Sequence, residues 1–275
     1  MIDLQYKQGG HMTDNLQNFY QDHWVEVEPE RMARYEEMFQ WREFHEALIA
    51  PAQIGEGHIV ADYGCGPGAL SIELARRVGP SGKIIALDIN REFLQRTRMF
   101  AEKEGLAELV ETQLMKDERI PVDDQSVDRV VCKNVLEYVP DPEMTIREFH
   151  RILKPGGIAH VSDSDWGCIV LEPLGERFRH IMSAAEVAFR TPLIGRSLYG
   201  LFRNAGFRDI QVQIIANPDT VGGMRPVLNN MVSYARTSGQ VEEAELTSFI
   251  KDVDRAVEEQ TYLALLPQFL VTGTA

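Results

Sequence analysis

Short apolar runs alternate with amphipathic stretches between residues 59 and 164 of the chain. The apolar run 59–61 is typical of a buried strand, and further strands are predicted at residues 83–87, 109–115, 126–132 and 158–162. The stretches with apolar residues at helical spacing cover residues 70–78, 91–103 and 142–153. Strands that alternate with helices are typical of a parallel sheet covered by helices. The pattern therefore predicts an α/β fold.

The regular alternation is interrupted after residue 164. Two insertions with helix patterns, 165–194 and 218–263, flank a predicted helix near 198–204 and a strand over 207–215. A final strand is predicted at 269–272. We therefore divide the chain at residues 58 and 165, and interpret residues 1–11 as a leader that takes no part in the fold.

A helical pattern also precedes the first strand, within the segment 12–57. It runs from Glu30 to Ala50, and Pro51 is expected to end it, because proline cannot donate the next helix hydrogen bond. Two interpretations are open. The segment 12–57 either packs as a helix on the core or forms a helical lid over a binding site.

Composition excludes several classes of protein. The 275 residues carry a net charge of −14, so the chain lacks the overall positive charge that attracts nucleic acid or anionic membranes. The three cysteines have no C-x-x-C spacing, which argues against a metal site or a disulfide framework. No apolar run reaches transmembrane length and no signal peptide pattern is present. These features predict a cytoplasmic enzyme with no metal and no membrane span.

The turn after the first strand carries the strongest chemical signal. It reads Asp62-Tyr63-Gly64-Cys65-Gly66-Pro67-Gly68, and a predicted helix begins directly after it. Glycines in such a turn allow positive φ and let a ligand approach the backbone. A dinucleotide fingerprint reads G-x-G-x-x-G, whereas the spacing here is G-x-G-x-G with an acid before it. An acid at that position repels a pyrophosphate but suits a cationic ligand group.

This turn resembles the first motif of class I S-adenosylmethionine-dependent methyltransferases. Residues 116–128 and 134–142 are similar to later motifs of that family, as is the helix end Arg151-Ile152-Leu153-Lys154-Pro155-Gly156-Gly157, which we interpret as a helix stop and turn. The resemblance covers residues 58–164 and, more weakly, 205–215 and 268–273, and is closest to small-molecule and ubiquinone/menaquinone-biosynthesis methyltransferases. It implies a Rossmann-like, doubly wound, seven-stranded sheet with an antiparallel last strand. It also implies S-adenosyl-L-methionine as cofactor and S-adenosyl-L-homocysteine as product.

The resemblance implies a set of cofactor-binding residues. They are Asp62, Gly64, Gly66, Gly68, Asp88, Ile89, Asp117, Glu118 and Asn134. Asp88, at the end of the second strand, would bind the ribose hydroxyls or would instead cap the following helix, a role that Asn90 can also fill. Lys116 occupies the position of the family's adenine-binding acid, so Asp117 would contact adenine after a one-residue shift or would simply be a solvated surface residue.

The acceptor is less well defined by the sequence. No Asn-Pro-Pro-Tyr, Asp-Pro-Pro-Tyr or Pro-Cys sequence follows the fourth strand, which argues against methylation of nucleic-acid bases. The segments 13–50, 165–194 and 218–263 are expected to build the substrate pocket. Its candidate residues, which core packing would explain equally well, are Tyr20, His23, Tyr138, Trp166 and His180. No residue is identified as a catalytic base.

Three functions are compatible with these observations. The first is methyl transfer from S-adenosylmethionine to O, N or C of a small organic metabolite, by a monomer or homodimer. The second is a methyltransferase fold that binds the cofactor but catalyses a cyclisation or decarboxylation. The third is a non-catalytic binding scaffold. The intact Asp62, Gly64, Gly66, Gly68 and Asp88 argue against the scaffold.

Overall fold

The computed structural model describes residues 16–275, so the leader predicted for residues 1–11 lies outside the described residues. The described strands are β1 Ile59–Tyr63, β2 Lys83–Asp88, β3 Val110–Leu114, β4 Val127–Lys133, β5 Leu153–Ser164, β6 Val170–Glu172, β7 Arg208–Ile215, β8 Leu263–Leu265 and β9 Gln268–Thr274. The described α-helices are α1 Phe19–Val25, α2 Pro29–Met38, α3 His45–Ile49, α4 Ala69–Val78, α5 Arg91–Lys103, α6 Pro142–Ile152, α7 Gly175–Ala185, α8 Ile194–Asn204, α9 Arg225–Ser238 and α10 Glu243–Glu258. None of these helices has the combined length and apolar character needed to cross a bilayer.

Seven strands form one mixed sheet in the order β3-β2-β1-β4-β5-β9-β7. Strands β1 to β5 pair in parallel, whereas β9 is antiparallel to both of its neighbours. The predicted Rossmann-like sheet with an antiparallel last strand is therefore confirmed. The register places Tyr63 beside Leu87 on one side and Cys132 on the other, so the carboxyl ends of β1, β2 and β4 share one edge.

The apolar runs of the sequence are explained by burial on both faces of this sheet. Successive side chains of a strand point to opposite faces, so Val60 and Ala61, both fully buried, belong to different clusters. Val60 packs in the cluster that contains Ala75 of α4, and Ala61 in the cluster that contains Phe149 of α6. Strands covered on both faces have no reason to alternate apolar and polar residues.

The two insertions form a separate apolar cluster. Helices α7, α9 and α10 contribute Phe178, Leu228 and Phe249, each no more than 1% exposed. The short strands β6 and β8 pair antiparallel beside them. Each of these strands has three residues, which is too short for a recognisable alternation in the sequence.

The segment before β1 differs from the single helix predicted over residues 30–50. It contains α2, α3 and a 3₁₀ turn at Ala50–Ala52, and it is preceded by α1, which the sequence pattern did not predict. Helix α2 ends at Met38, and Phe39 has φ −90° and ψ 4°, outside helical geometry. The break brings Phe39 and Trp41 to the wall of the cavity described below.

The Pro155-Gly156-Gly157 sequence also differs from its predicted role. Helix α6 ends at Ile152, and β5 begins at the next residue. The proline and the two glycines therefore lie within β5, where the pairing with β4 moves from Leu153 opposite Val127 to Ile158 opposite Arg129. Gly156 has φ +82°, as expected for a bulge that accommodates extra residues. The segment is a bulge in a strand and not a turn before one.

Candidate cofactor and substrate site

A cavity of about 1130 Å³ opens at the carboxyl ends of β1, β2, β3 and β4. Polar groups from the strand ends, among them Asp62, Asp88 and Asn134, line one side. Trp24 and Phe39 from the N-terminal segment also line it. Ligands of open α/β sheets bind at this edge, where the strand order reverses. The fold therefore brings eight of the nine predicted cofactor-binding residues, all but Gly68, to the wall of one cavity.

The glycine turn has a backbone that only glycine adopts readily. Gly64, Gly66 and Gly68 have φ values of +74°, +54° and +94°. A Cβ on Gly64 would lie 2.4 Å from a methyl group of Val135, and one on Gly68 2.6 Å from Thr97 Oγ1. A Cβ on Gly66 would meet only Phe39, at 3.9 Å. Gly64 and Gly66 line the cavity, whereas Gly68 is not among its lining residues and packs against α5.

Asp88 holds this turn and faces the cavity. Its Oδ2 accepts a hydrogen bond of 2.9 Å from the N–H of Gly66, and its Oδ1 accepts one of 2.8 Å from Asn90. The cap of α5 is Asn90, whose side chain accepts from the N–H groups of Glu92 and Phe93. Burial raises the pKa of Asp88 to about 6, so the carboxylate is mostly ionised at neutral pH. Because Asn90 caps α5, Asp88 is not needed as the cap, and its carboxylate lines the cavity.

Asp62 lies beneath the turn and is 1% exposed. Its Oδ2 accepts a hydrogen bond of 2.5 Å from the Ser71 hydroxyl. Burial, opposed by the Ser71 hydrogen bond and by Lys133 and assisted by the nearby Asp88, raises the pKa of Asp62 to about 7. A cationic group bound in the cavity would favour the ionised form of Asp62.

This raised pKa makes cofactor affinity dependent on pH. We expect the affinity for S-adenosylhomocysteine, whose amino group is cationic, to rise about fourfold between about pH 6.5 and pH 8, because Asp62 loses its proton over that range. Asp62→Asn should bind more weakly and lose this rise. Calorimetric titrations at three pH values measure it, and an equal rise in Asp62→Asn would refute the role of Asp62.

The raised pKa of Asp62 also makes the free energy of unfolding depend on pH. The folded state holds the Asp62 proton up to about pH 7, whereas the unfolded chain releases it near 3.8. This residue therefore reduces the free energy of unfolding as the pH rises between those values.

Asn134 follows β4 at the floor of the cavity. It has a left-handed backbone with φ +53°, which asparagine tolerates better than most residues, and its N–H donates to the carbonyl of Ser162. Its side-chain Oδ1 is buried and has no hydrogen-bond partner among residues 16–275. A buried acceptor without a partner is costly, so this oxygen is suited to a ligand donor.

The far side of the cavity follows β2 and β3. Ile89 is partly buried and packs against the core, and Met115 is buried; both line the cavity. Asp117 and Glu118 also line it, and both are exposed in the loop after β3. Asp117 Oδ1 accepts a hydrogen bond of 3.0 Å from the N–H of Arg119. An apolar wall beside exposed carboxylates suits a flat ring with an exocyclic amino group.

Of the five predicted substrate residues, the structure places only Tyr138 in the cavity wall. His23 and Trp166 are buried close to it: His23 packs edge-on against Tyr138, and Trp166 Nε1 donates a 2.7 Å hydrogen bond to Glu137. Tyr20 lies beneath the guanidinium of Arg190. His180 is exposed on α7. None of these other four is among the lining residues.

The cavity wall also includes residues that the sequence did not single out. Trp24, Phe39, Trp41 and His45 come from the N-terminal segment, and Lys133 is the last residue of β4. Lys133 could have been noticed as a charged residue at the end of an apolar run. Phe39 and Trp41 could not, because their orientation depends on the break between α2 and α3.

The two later insertions take a different place from the one expected. The lining contains no residue from 165–194 or 218–263, although both were expected to build the pocket. Their apolar residues bury one another in the α7, α9 and α10 cluster, against which Phe19 of α1 and Tyr138 pack. The insertions therefore support the cavity wall from behind.

The residues present fit S-adenosylmethionine. Gly66 has no side chain, which leaves space at the turn for a ligand; a larger residue there would project into the cavity. Asp62 and Asp88 provide acceptors for an ammonium group and for hydroxyls, and the unpartnered Asn134 Oδ1 is a further buried acceptor. The donors and acceptors match the chemistry of this cofactor, and the assignment of individual contacts is part of our proposal.

Comparisons with known proteins identify the family of this chain. A family model described as a methyltransferase domain matches residues 54–206. An uncharacterised 37.1 kDa protein in a transposon of Streptomyces fradiae is 30% identical over 171 residues, 60% of this chain and 48% of that protein. Demethylmenaquinone methyltransferase of Lactobacillus johnsonii is 34% identical over 105 residues, 38% of this chain and 43% of that enzyme. The chain thus spans less than half the length of these relatives.

The fold is also found in solved structures. Phosphoethanolamine N-methyltransferase 2 of Haemonchus contortus, in complex with S-adenosyl-L-methionine, superposes with a TM-score of 0.62 over 92% of this chain and 59% of that one, at 14% identity. At that identity the similarity concerns the fold alone. Because the family model covers more than half of the residues, this chain belongs to the methyltransferase domain family, and the predicted resemblance to class I S-adenosylmethionine-dependent methyltransferases is confirmed.

Proposed function

We propose that this chain transfers a methyl group from S-adenosylmethionine to O, N or C of a small organic acceptor. The observation that carries the proposal is the combination, in one cavity, of the strand-end polar groups with an aromatic wall. Its volume of about 1130 Å³ exceeds the roughly 300–1,000 Å³ of pockets that hold one small ligand. A cofactor and an acceptor fit such a space together.

The wall opposite the strand ends favours an apolar or aromatic acceptor. Trp24, Phe39 and Tyr138 line it, and Trp24 packs edge-on against Tyr138 at 4.9 Å between ring centroids. Trp24 Nε1 is buried, with no hydrogen-bond acceptor among the described residues. It offers one donor to a polar atom of an otherwise apolar molecule. A net charge of −14 supports an acceptor other than nucleic acid.

The residues of this chain contribute binding and positioning. The cofactor supplies a methyl group that its sulfonium already activates. Asp88 and Asp62 hold its ribose and amino group, and helices α1 to α3 exclude water from the reacting atoms. In this proposal the segment 12–57 is the lid: Met32 and Tyr35 of α2 pack against Phe93 of α5, while Trp24 and Phe39 face the cavity. The site of action is the cytoplasm, and the active form is a monomer or homodimer.

Methyl transfer is tested with S-adenosylmethionine labelled at the methyl group. The protein is incubated with an extract of small bacterial metabolites, and a labelled product is expected that boiled protein does not form. Binding of the cofactor without any labelled product would overturn methyl transfer and favour a cyclisation or decarboxylation. No cofactor binding at all would favour a scaffold.

Asp88→Ala tests the ribose contact. We expect it to weaken S-adenosylhomocysteine binding by about 1–3 kcal/mol, because the ribose hydroxyls lose their acceptor. Calorimetric titration measures the change. Asp88→Asn is the matched control, since its remaining carbonyl oxygen accepts from the turn; it should restore much of the thermal stability but only part of the affinity. Unchanged affinity in Asp88→Ala would refute the contact.

A further inference from the structure

Lys133 is a cation at the floor of the cavity that the proposed function has not used. It is the last residue of β4, pairs with Ser162 of β5, and lines the cavity beside Asn134. Burial lowers its pKa, against the opposing effect of three carboxylates, those of Asp163, Asp62 and Glu137. A lysine in such a position needs a partner, because an uncompensated buried charge is costly.

Each of these carboxylates accepts hydrogen bonds from donors other than Lys133. Asp163 accepts from the N–H groups of Val135, Leu136 and Ser164, at 3.2, 2.9 and 2.9 Å. Ser71 donates to Asp62, and Trp166 donates to Glu137.

Among residues 16–275, none forms a hydrogen bond or an ion pair within 4.0 Å with the Lys133 ammonium. By contrast Arg151, a cation in the same wall, pairs with Glu148 and Asp124. The Lys133 ammonium therefore has no acceptor among the described residues, and the residue lines the cavity.

His45 adds a second donor close to Lys133. Its Nδ1 accepts a 3.0 Å hydrogen bond from the N–H of Arg42, so the proton of the neutral ring lies on Nε2. Burial, together with the charges of Lys133 and Arg42, lowers the pKa of His45 to about 4, so the ring is neutral at pH 7. His45 lines the cavity and offers an N–H to it.

The order of groups along the sheet edge indicates which anion these donors bind. The strands run β3-β2-β1-β4, and they carry Asp117, Asp88, Asp62 and Lys133 at or just after their ends. A cofactor whose adenine lies near β3 and whose ribose lies at β2 brings its amino-acid end to β1 and β4. That end is a zwitterion. Asp62 and Lys133 present one negative and one positive group side by side, the charges that a zwitterion requires.

We propose that the Lys133 ammonium and the Nε2–H of His45 bind the α-carboxylate of S-adenosylmethionine, while Asp62 binds its amino group. The assignment rests on the proposed function, because it takes S-adenosylmethionine as the ligand. The proposed subsite binds the carboxylate and therefore distinguishes the cofactor from analogues that lack this group.

The test compares S-adenosylmethionine with its decarboxylated form, which keeps the sulfonium and the amino group. Wild-type protein is expected to bind the intact cofactor roughly 10- to 100-fold more tightly. Lys133→Met should lose most of this preference while binding the decarboxylated form about as well as wild type does. His45→Phe should lose a smaller part of it. Calorimetric titration gives each dissociation constant.

Lys116→Met is the matched control, because Lys116 lines the same cavity at the β3 end. It should keep the wild-type preference for the carboxylate. Equal binding of both ligands by wild type would overturn the subsite without any variant, and so would a Lys133→Met protein that keeps the full preference. If wild type binds neither ligand, the proposed function itself is wrong. Failure of the subsite alone would instead appear as binding of both ligands without a preference.

Discussion

Gly64→Ala is expected to lower the free energy of unfolding by about 2–5 kcal/mol and to abolish measurable cofactor binding. Two costs add: a left-handed backbone costs alanine about 1–2 kcal/mol, and overpacking costs about 1–3 kcal/mol. The added Cβ would lie 2.4 Å from Val135 Cγ2, while Gly64 has φ +74°. Relief of that contact moves the turn away from Leu87, to whose carbonyl the Gly64 N–H donates. Urea unfolding and calorimetric titration with S-adenosylhomocysteine measure the two effects.

Gly105→Ala is the control that separates the cost of a left-handed backbone from the cost of the close contact with Val135. Gly105 has φ +72°, almost the same backbone as Gly64, but its Cβ would meet nothing within 4 Å. It should lose only the backbone part, about 1–2 kcal/mol, and bind cofactor normally. If both variants lose equal stability and Gly64→Ala still binds cofactor, the close packing of the turn on Val135 has no functional importance.

Phe249→Ala is expected to lower the free energy of unfolding by about 3–5 kcal/mol, the range for deletion of a buried aromatic side chain. Phe249 of α10 is fully buried and stacks on Phe178 of α7, with ring centroids 6.1 Å apart. The guanidinium of Arg177 lies 5.9 Å from the centre of its ring. A loss of this size is a large fraction of the about 5–15 kcal/mol that stabilises a typical domain. The urea midpoint should fall strongly.

Tyr199→Ala is the control for this truncation. Tyr199 is an aromatic residue on a helix, α8, but it is 51% exposed, so its loss should change stability by less than about 0.5 kcal/mol. Equal midpoints for Phe249→Ala and wild type would show that the cluster of α7, α9 and α10 does not stabilise the fold.

Much of the sheet could be predicted from the sequence, because its strands are buried on both faces. The predicted strands 83–87 and 126–132 are rich in aliphatic residues, and each lies within one residue of the strand found. The N-terminal segment was harder, because its apolar residues face two different surroundings. Met32 and Tyr35 pack on Phe93, whereas Phe39 and Trp41 face the cavity, so one helical period could not describe them all.

The cofactor side of the site was also accessible from the sequence. The glycine turn and Asp88 depend on local chain geometry and on strand ends, which spacing reveals. The proximity of His45 to Lys133 was not accessible, because it depends on how α3 packs against the sheet beside β5, a long-range contact. The expectation that segments 165–194 and 218–263 line the pocket was wrong for a related reason. Apolar content indicates that a segment is buried but not what it packs against, and these two segments bury one another.

A crystal structure with S-adenosylhomocysteine tests the central claim most directly. We expect density for the ligand across the carboxyl ends of β2, β1 and β4, with the ribose hydroxyls within hydrogen-bond distance of Asp88 and the sulfur facing the wall that holds Tyr138. Ligand bound elsewhere on the protein, or within the cavity but away from Asp88, would contradict it.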